Sequence, residues 1–469
     1  MPFMVGSWST YTKSLEHTNT LKISLFSSEE NHHHKHISSS ISLIYSNLIS
    51  LPYFHLNCIS RYPLSTFKTY LFKTIIMAAE NTKLFQPLKA GKMELGHRVV
   101  MAPLTRYRAD DDSVPLDLVS QYYADRASTP GTLIITEATA VSPADVGDLD
   151  LPDFSTPAQI AAWKNVFDAI HAKGSYVFQQ LWSLGRAADP EFVRGRGFKY
   201  CSSSDVQMTG RPCKPDALTE EEIWEKINNW RVAARNVIAA GGDGVEIHGA
   251  HGYLVDQFTR DSANKRADKW GGSVENRARF LLEIVKAVVE EVGAERVALR
   301  LSPFATFQES YSTSPDTWEQ TAYIVREIKK AGHKLAYLSL VEAVGNPVNL
   351  GIVPRQVTDD VQPFDEAKPQ TLDFILEEWD NISPVVVAGG YLGDSARWAV
   401  DERYAKWDVA VAFGRYFISN PDLVFRVKNN VAFTPYDRTT FYKKKSNDGY
   451  NTYEFSEEYK KVNGVNGSA

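Results

Sequence analysis

From Lys83 onward, eight short runs rich in apolar and β-branched residues recur along the chain, separated by longer amphipathic or irregular stretches. The runs are Arg98–Leu104, Thr132–Thr139, Ser175–Trp182, Gly244–His248, Val297–Ser302, Leu335–Val341, Pro384–Gly389 and Asp408–Gly414. Continuous apolar runs of this length read as strands buried on both faces. Helical stretches lie between them at Thr156–Lys173, Glu220–Ala240, Glu275–Val292, Thr317–Lys330 and Asp394–Tyr404. In Glu275–Val292, for example, Phe280, Ile284, Ala287 and Val288 share one face. Strand and crossover repeated eight times predict an α/β fold of the (β/α)₈ TIM barrel type. An open doubly wound sheet competes, but no GxGxxG opens a strand–helix unit. Before the first strand, Leu84 to Leu88 and Met93 to Leu95 flank Ala90-Gly91-Lys92, which predicts a β-hairpin capping the barrel floor.

Composition narrows the function classes. With 51 Lys or Arg against 57 Asp or Glu, the net charge of −6 offers no basic field for nucleic acid or an anionic membrane. Cys58, Cys201 and Cys213 form no CxxC pair, which argues against a disulfide framework, a zinc site or an iron–sulfur cluster and suits a reducing compartment. Residues 1–77 differ from the rest, with six Lys or Arg, three Glu, no Asp and six of the eleven His. The apolar part, Ile41–Leu56, is too short and too polar to span a bilayer. This stretch is read as a disordered or mis-assigned leader, with Met77-Ala78-Ala79 as the true start, a targeting segment being the alternative, and residues 78–469 as the barrel and its tail. The end Asn466-Gly467-Ser468-Ala469 carries no peroxisomal signal, so the expected location is cytoplasmic.

In a barrel of this type, function sits at the C-terminal strand ends. Those ends are polar here: Pro103-Leu104-Thr105-Arg106, Glu137-Ala138-Thr139, Gln179-Gln180, His248 to Tyr253, Arg300, Gly389-Gly390 and Gly414-Arg415. Glycines after strands seven and eight let backbone N–H groups approach an anion, and Arg415 adds a charge, which points to phosphate. Arg300, alone in an apolar strand, implies an anion or an electron-rich acceptor at the barrel mouth. His248 and His251, two residues before Tyr253, suit polarising a carbonyl and delivering a proton. They could instead begin a metal site, although no third ligand other than Glu137 is obvious. Thr105 and Gln180 read equally well as structural hydrogen-bonding residues.

These motifs together resemble the old yellow enzyme family. The residues are Ala102 to Arg108, Gln180-Leu181-Trp182, His248 to Leu254, Gln257-Phe258, Lys269 to Ser273, Glu275-Asn276-Arg277, Arg300 to Pro303 and Gly414 to Ile418. The His-x-x-His-x-Tyr form resembles plant 12-oxophytodienoate reductases and many fungal members. The resemblance implies an enzyme that reduces the C=C bond of α,β-unsaturated carbonyl compounds, with non-covalent FMN and with NADPH as reductant. It places Pro103, Leu104, Thr105, Ala138, Gln180 and Arg300 around the flavin ring and Gly390, Gly414 and Arg415 at its phosphate. His248 and His251 would hold the substrate carbonyl, Tyr253 would donate the proton, and Tyr442 would close the pocket.

The partner implied is a small-molecule substrate, without nucleic acid or membrane, and the protein would be a monomer or homodimer. Glu342–Pro369 departs from the plant reductases and is expected at the pocket rim, and Ala187–Ala217 is an insertion rich in Gly, Pro and Ser. A flavin-barrel isomerase or dehydratase of secondary metabolism is the alternative, with a metal-dependent barrel hydrolase a third reading.

Overall fold

The computed structural model describes residues 81–313, 316–343 and 369–464. The expected leader, and most of the rim stretch within Glu342–Pro369, lie outside the described residues. In chain order the strands are β1 (Leu88–Ala90), β2 (Met93–Leu95), β3 (Val99–Met101), β4 (Leu133–Ile135), β5 (Thr139–Ala140), β6 (Tyr176–Trp182), β7 (Cys201–Ser202), β8 (Asp216–Ala217), β9 (Gly244–Gly249), β10 (Val297–Leu301), β11 (Tyr337–Val341), β12 (Val385–Ala388) and β13 (Val409–Phe413). The parallel order β4-β3-β13-β12-β11-β10-β9-β6 closes through a β4–β6 pairing, which makes an eight-stranded barrel. Each expected strand run lies on one of these barrel strands.

Alternate residues of each strand face opposite layers. Val100, Leu133, Ile135, Phe178, Ala298, Tyr337, Val386 and Ala410 form a core with the hairpin residues Leu88, Ala90, Met93 and Leu95. Their neighbours Val99, Ile134, Val177, Val245, Leu299, Leu338, Val387 and Val411 join the larger core with helix residues such as Trp163, Trp230, Phe280 and Trp379. Each such buried side chain contributes roughly 1.5–3 kcal/mol, so Phe280→Ala should cost about 3–5 kcal/mol.

The hairpin β1–β2 closes the floor as expected. Gly91 has φ 56°, and a Cβ there would lie 2.1 Å from the Glu295 carbonyl oxygen, just ahead of β10. Only glycine can make that turn at that approach. Lys92 adds an ion pair to Glu295 at 2.8 Å.

The helices begin where their caps stand. Thr156 and Thr219 each close a capping box, with Gln159 and Glu222, at the starts of helices Pro157–His171 and Glu220–Ala239. Two elements differ from expectation. The Thr132–Thr139 run splits into β4 and β5, because Glu137 leaves the ladder: its N–H bonds the Tyr123 hydroxyl and its carboxylate accepts from Arg106 N–H. The insertion is ordered, with helix Pro190–Gly195, whose first two N–H groups are capped by Asp189, and the β7–β8 pair.

Candidate active site

Because all barrel strands run the same way, their C-terminal ends share one rim. A cavity of about 750 Å³ opens there, and the residues expected to hold cofactor and substrate line it: Pro103, Leu104, Thr105, Ala138, Gln180, His248, His251, Tyr253, Arg300, Gly390, Gly414, Arg415 and Tyr442, whereas the strand-end residues Arg106, Glu137 and Gln179 do not. That volume suits a cofactor with a substrate above it.

Strand register builds the deepest part. Gln180 pairs with Glu246 between β6 and β9, and Arg300 pairs with His248 between β10 and β9. Gln180 Nε2 donates to Glu246 Oε1 at 2.7 Å, and Arg300 Nη1 stands 4.0 Å from the same oxygen. Burial pushes the Glu246 carboxyl up, and Arg300 holds it down. Apart from that ion pair, the buried Nε and Nη1 atoms of Arg300 have no hydrogen-bond partner. Sequence reading missed Glu246, although a lone acid inside the apolar Gly244–His248 run was a signal available to it.

Above this floor the chain turns through Ala250-His251-Gly252, with His251 at φ 56° and Gly252 at φ 74°. The His251 N–H donates to Ser302 Oγ at 2.8 Å, which fixes the turn. His248, His251 and Tyr253 therefore converge: the His248 ring lies 6.0 Å from His251 and 5.0 Å from Tyr253. Trp182 backs both His248 and Tyr253, at 6.1 and 4.6 Å. Burial holds His248 well below the usual imidazole range and His251 down at about 3, aided by nearby cations. Both rings are neutral at working pH. His248 Nδ1 accepts from the Ala250 N–H at 3.3 Å, so its Nε2 carries the proton. Burial raises the Tyr253 phenol, which stays protonated. Two neutral N–H donors and one O–H donor facing a common space suit a carbonyl compound. Among the described residues, no three His, Cys, Asp or Glu side chains converge to hold a metal.

The opposite end is built from β12 and β13. Gly390 and Gly414 follow these strands, and Arg415 opens the short helix Arg415–Ser419. Among the described residues Arg415 pairs with no carboxylate, and its guanidinium lies 5.3 Å from the Tyr436 ring centre.

The family model described as NADH:flavin oxidoreductase / NADH oxidase matches residues 83–433. The chain belongs to the old yellow enzyme family. It is 49% identical to chanoclavine-I aldehyde reductase fgaOx3 of Penicillium roqueforti, over 81% of this chain and 98% of that protein. It is 46% identical to the NADP-dependent oxidoreductase lnbE of Aspergillus flavus, over 80% and 97%. The old yellow enzyme from Pichia sp. AKU4542 superposes with a TM-score of 0.72 at 38% identity, covering 81% of this chain and 95% of that one. As an old yellow enzyme, the protein is an FMN-dependent oxidoreductase that reduces C=C bonds of α,β-unsaturated carbonyl compounds.

The residues present fit FMN. Arg300 lines the cavity with two nitrogens that lack a hydrogen-bond partner, Leu104 and Ala138 offer apolar surface, and one glycine–arginine cradle matches one phosphate. Tyr442 stands at this old yellow enzyme's cavity mouth, 59% exposed and edge-on to Tyr107 at 5.8 Å. Its segment is anchored from below. Arg106 donates to the Phe441 and Gly449 carbonyls, and Arg126 to those of Phe417 and Ile418. Nothing in the Arg106 sequence context announced that role, since the Phe441 and Gly449 carbonyls lie more than 300 residues away. No helix among the described residues is long and apolar enough to cross a membrane.

Proposed function

We propose that this old yellow enzyme uses NADPH to reduce an α,β-unsaturated aldehyde or ketone of secondary metabolism. The observation that carries the reading is the convergence of neutral His248 and His251 with protonated Tyr253 above Arg300, whose Nε and Nη1 have no hydrogen-bond partner. The aldehyde reductase and NADP-dependent relatives support the substrate and reductant classes.

Pro103, Leu104, Thr105, Ala138 and Gln180 would hold the FMN ring without a covalent bond, with Arg300 at its electron-rich edge. Gly390, Gly414 and Arg415 would hold the phosphate. When bound, FMN supplies two-electron transfer between the nicotinamide and the substrate's β-carbon. His248 Nε2–H and a His251 N–H bind the carbonyl oxygen and stabilise the negative charge that develops there. Tyr253 gives its hydroxyl proton to the α-carbon. Trp182 fixes the His248 and Tyr253 rings, and Tyr442 shields the mouth from water. We place the protein in the cytoplasm, as a monomer or homodimer, since three cysteines without a CxxC pair suit a reducing compartment.

Tyr253→Phe tests the assignment. Anaerobic stopped-flow should show flavin reduction by NADPH nearly unchanged and reoxidation by an enone slowed by about 10²–10⁴. Equal slowing of both halves would remove Tyr253 from proton transfer. Reduced flavin that an enone fails to reoxidise even in the parent enzyme would favour the non-reductive isomerase or dehydratase chemistry.

A further inference from the structure

Gln308 lies in the loop after β10 with φ 59°, and Glu309 follows with φ 54°. Two successive non-glycine residues in the left-handed region are strained, and such strain persists only where the surroundings impose it. Arg186, 1% exposed, imposes it: its Nη2 donates to the Gln308 carbonyl at 3.0 Å and to the Glu309 carbonyl at 2.8 Å. The Arg186 backbone N–H is itself held by Gln257 Oε1 at 3.1 Å. From the other side, a Cβ on Gly252 would fall 2.7 Å from the Phe307 carbonyl oxygen and 2.9 Å from Gln308 Cβ. The turn carrying Tyr253 and the loop carrying Gln308 are thus pressed together, and Gly252 is what permits the approach. Gln308 is buried, shares Tyr253's cavity, and has an unpartnered Oε1.

We propose that Gln308 is the positioning residue for proton delivery, its side-chain N–H donating to Tyr253 Oη so that the hydroxyl proton turns toward the substrate's α-carbon. The inference rests on Tyr253 being the proton donor. In the step, the Tyr253 O–H bond breaks, the enolate electron pair forms the new α-C–H bond, and a phenolate remains. Water from the cavity mouth restores that proton. A hydrogen bond to a phenolate is charge-assisted and stronger than one to the neutral phenol, so Gln308 favours the state after transfer. The surroundings work the other way: burial raises the Tyr253 phenol, with Tyr442 adding to it, while the Gln308 hydrogen bond lowers it. Tyr107 and neutral His248 are the other titratable side chains against it.

The test compares Gln308→Met, which keeps volume and removes the amide, with Tyr253→Phe and the double variant, all as FMN-loaded enzyme. Gln308→Met should slow enone-dependent reoxidation about 10-fold or more and enlarge its solvent deuterium isotope effect, with an unchanged Tm. In the Tyr253→Phe background the same change should have no further effect on rate. A full additional 10-fold loss in that background, or an unchanged isotope effect, would overturn the proposal. If Tyr253→Phe alone costs nothing, the donor assignment itself fails, which is a separate result. Should Gln308→Met unfold, Gln308→Asn, which tolerates left-handed backbone, carries the same comparison with a shortened amide.

Discussion

Gln180 and Glu246 face each other across neighbouring strands, and the Gln180 amide donates to the Glu246 carboxylate at 2.7 Å. That bond fixes which end of the Gln180 amide points into the cavity and holds a negative charge beneath Arg300. Glu246→Gln should therefore leave Arg300 buried and uncompensated. Urea unfolding of the FMN-free protein should show a loss of about 3 kcal/mol, and the FMN reduction potential should become more positive. If neither changes, Arg300 is balanced by some other group.

Glu137 supplies a pH-dependent prediction. Burial pushes its carboxyl from near 4.5 up to about 7, against the pull of Arg106 and Arg108. A raised folded value means the favourable contribution is complete below pH 4.5 and is lost as pH rises through 7. Glu137→Gln should thus match the parent near pH 4 and exceed it by about 3 kcal/mol at pH 8. Denaturant midpoints at the two pH values check this, and a constant difference would contradict it.

The histidines predict a flat pH response. His251 is held at about 3 and His248 is also strongly depressed, so neither gains a proton between pH 5 and 9. Enone affinity should be constant over that range, and His248→Ala should weaken it by about 1–3 kcal/mol. Affinity that falls with a midpoint near 6.5 would show an ordinary, solvated imidazole in the clamp.

Arg415→Ala should weaken FMN retention by about 1.5–3 kcal/mol, seen as a 10–100-fold rise in Kd, with the fold intact by circular dichroism. Unchanged affinity would move the phosphate site away from β12 and β13.

The amino-acid pattern alone determined the barrel, because a parallel strand buried on both faces must be a continuous apolar run, and eight such runs separated by crossovers admit few alternatives. It also determined the site's cast, since polar residues at apolar strand ends, such as Arg300 and the His248–Tyr253 stretch, have few structural reasons to be there. Tertiary structure decided which groups meet. Glu246 acquires its partners only through the register of β6, β9 and β10. Glu137 leaves its strand for a tyrosine and an arginine brought by other segments. Arg106 meets the Phe441 and Gly449 carbonyls from over 300 residues away, and Gln308 enters the cavity that Tyr253 lines on a loop that Arg186 holds and Gly252 lets approach. Periodicity is a local property and can be read along the chain; hydrogen-bond partners at long sequence separation are set by closure of the barrel, and no local pattern encodes them.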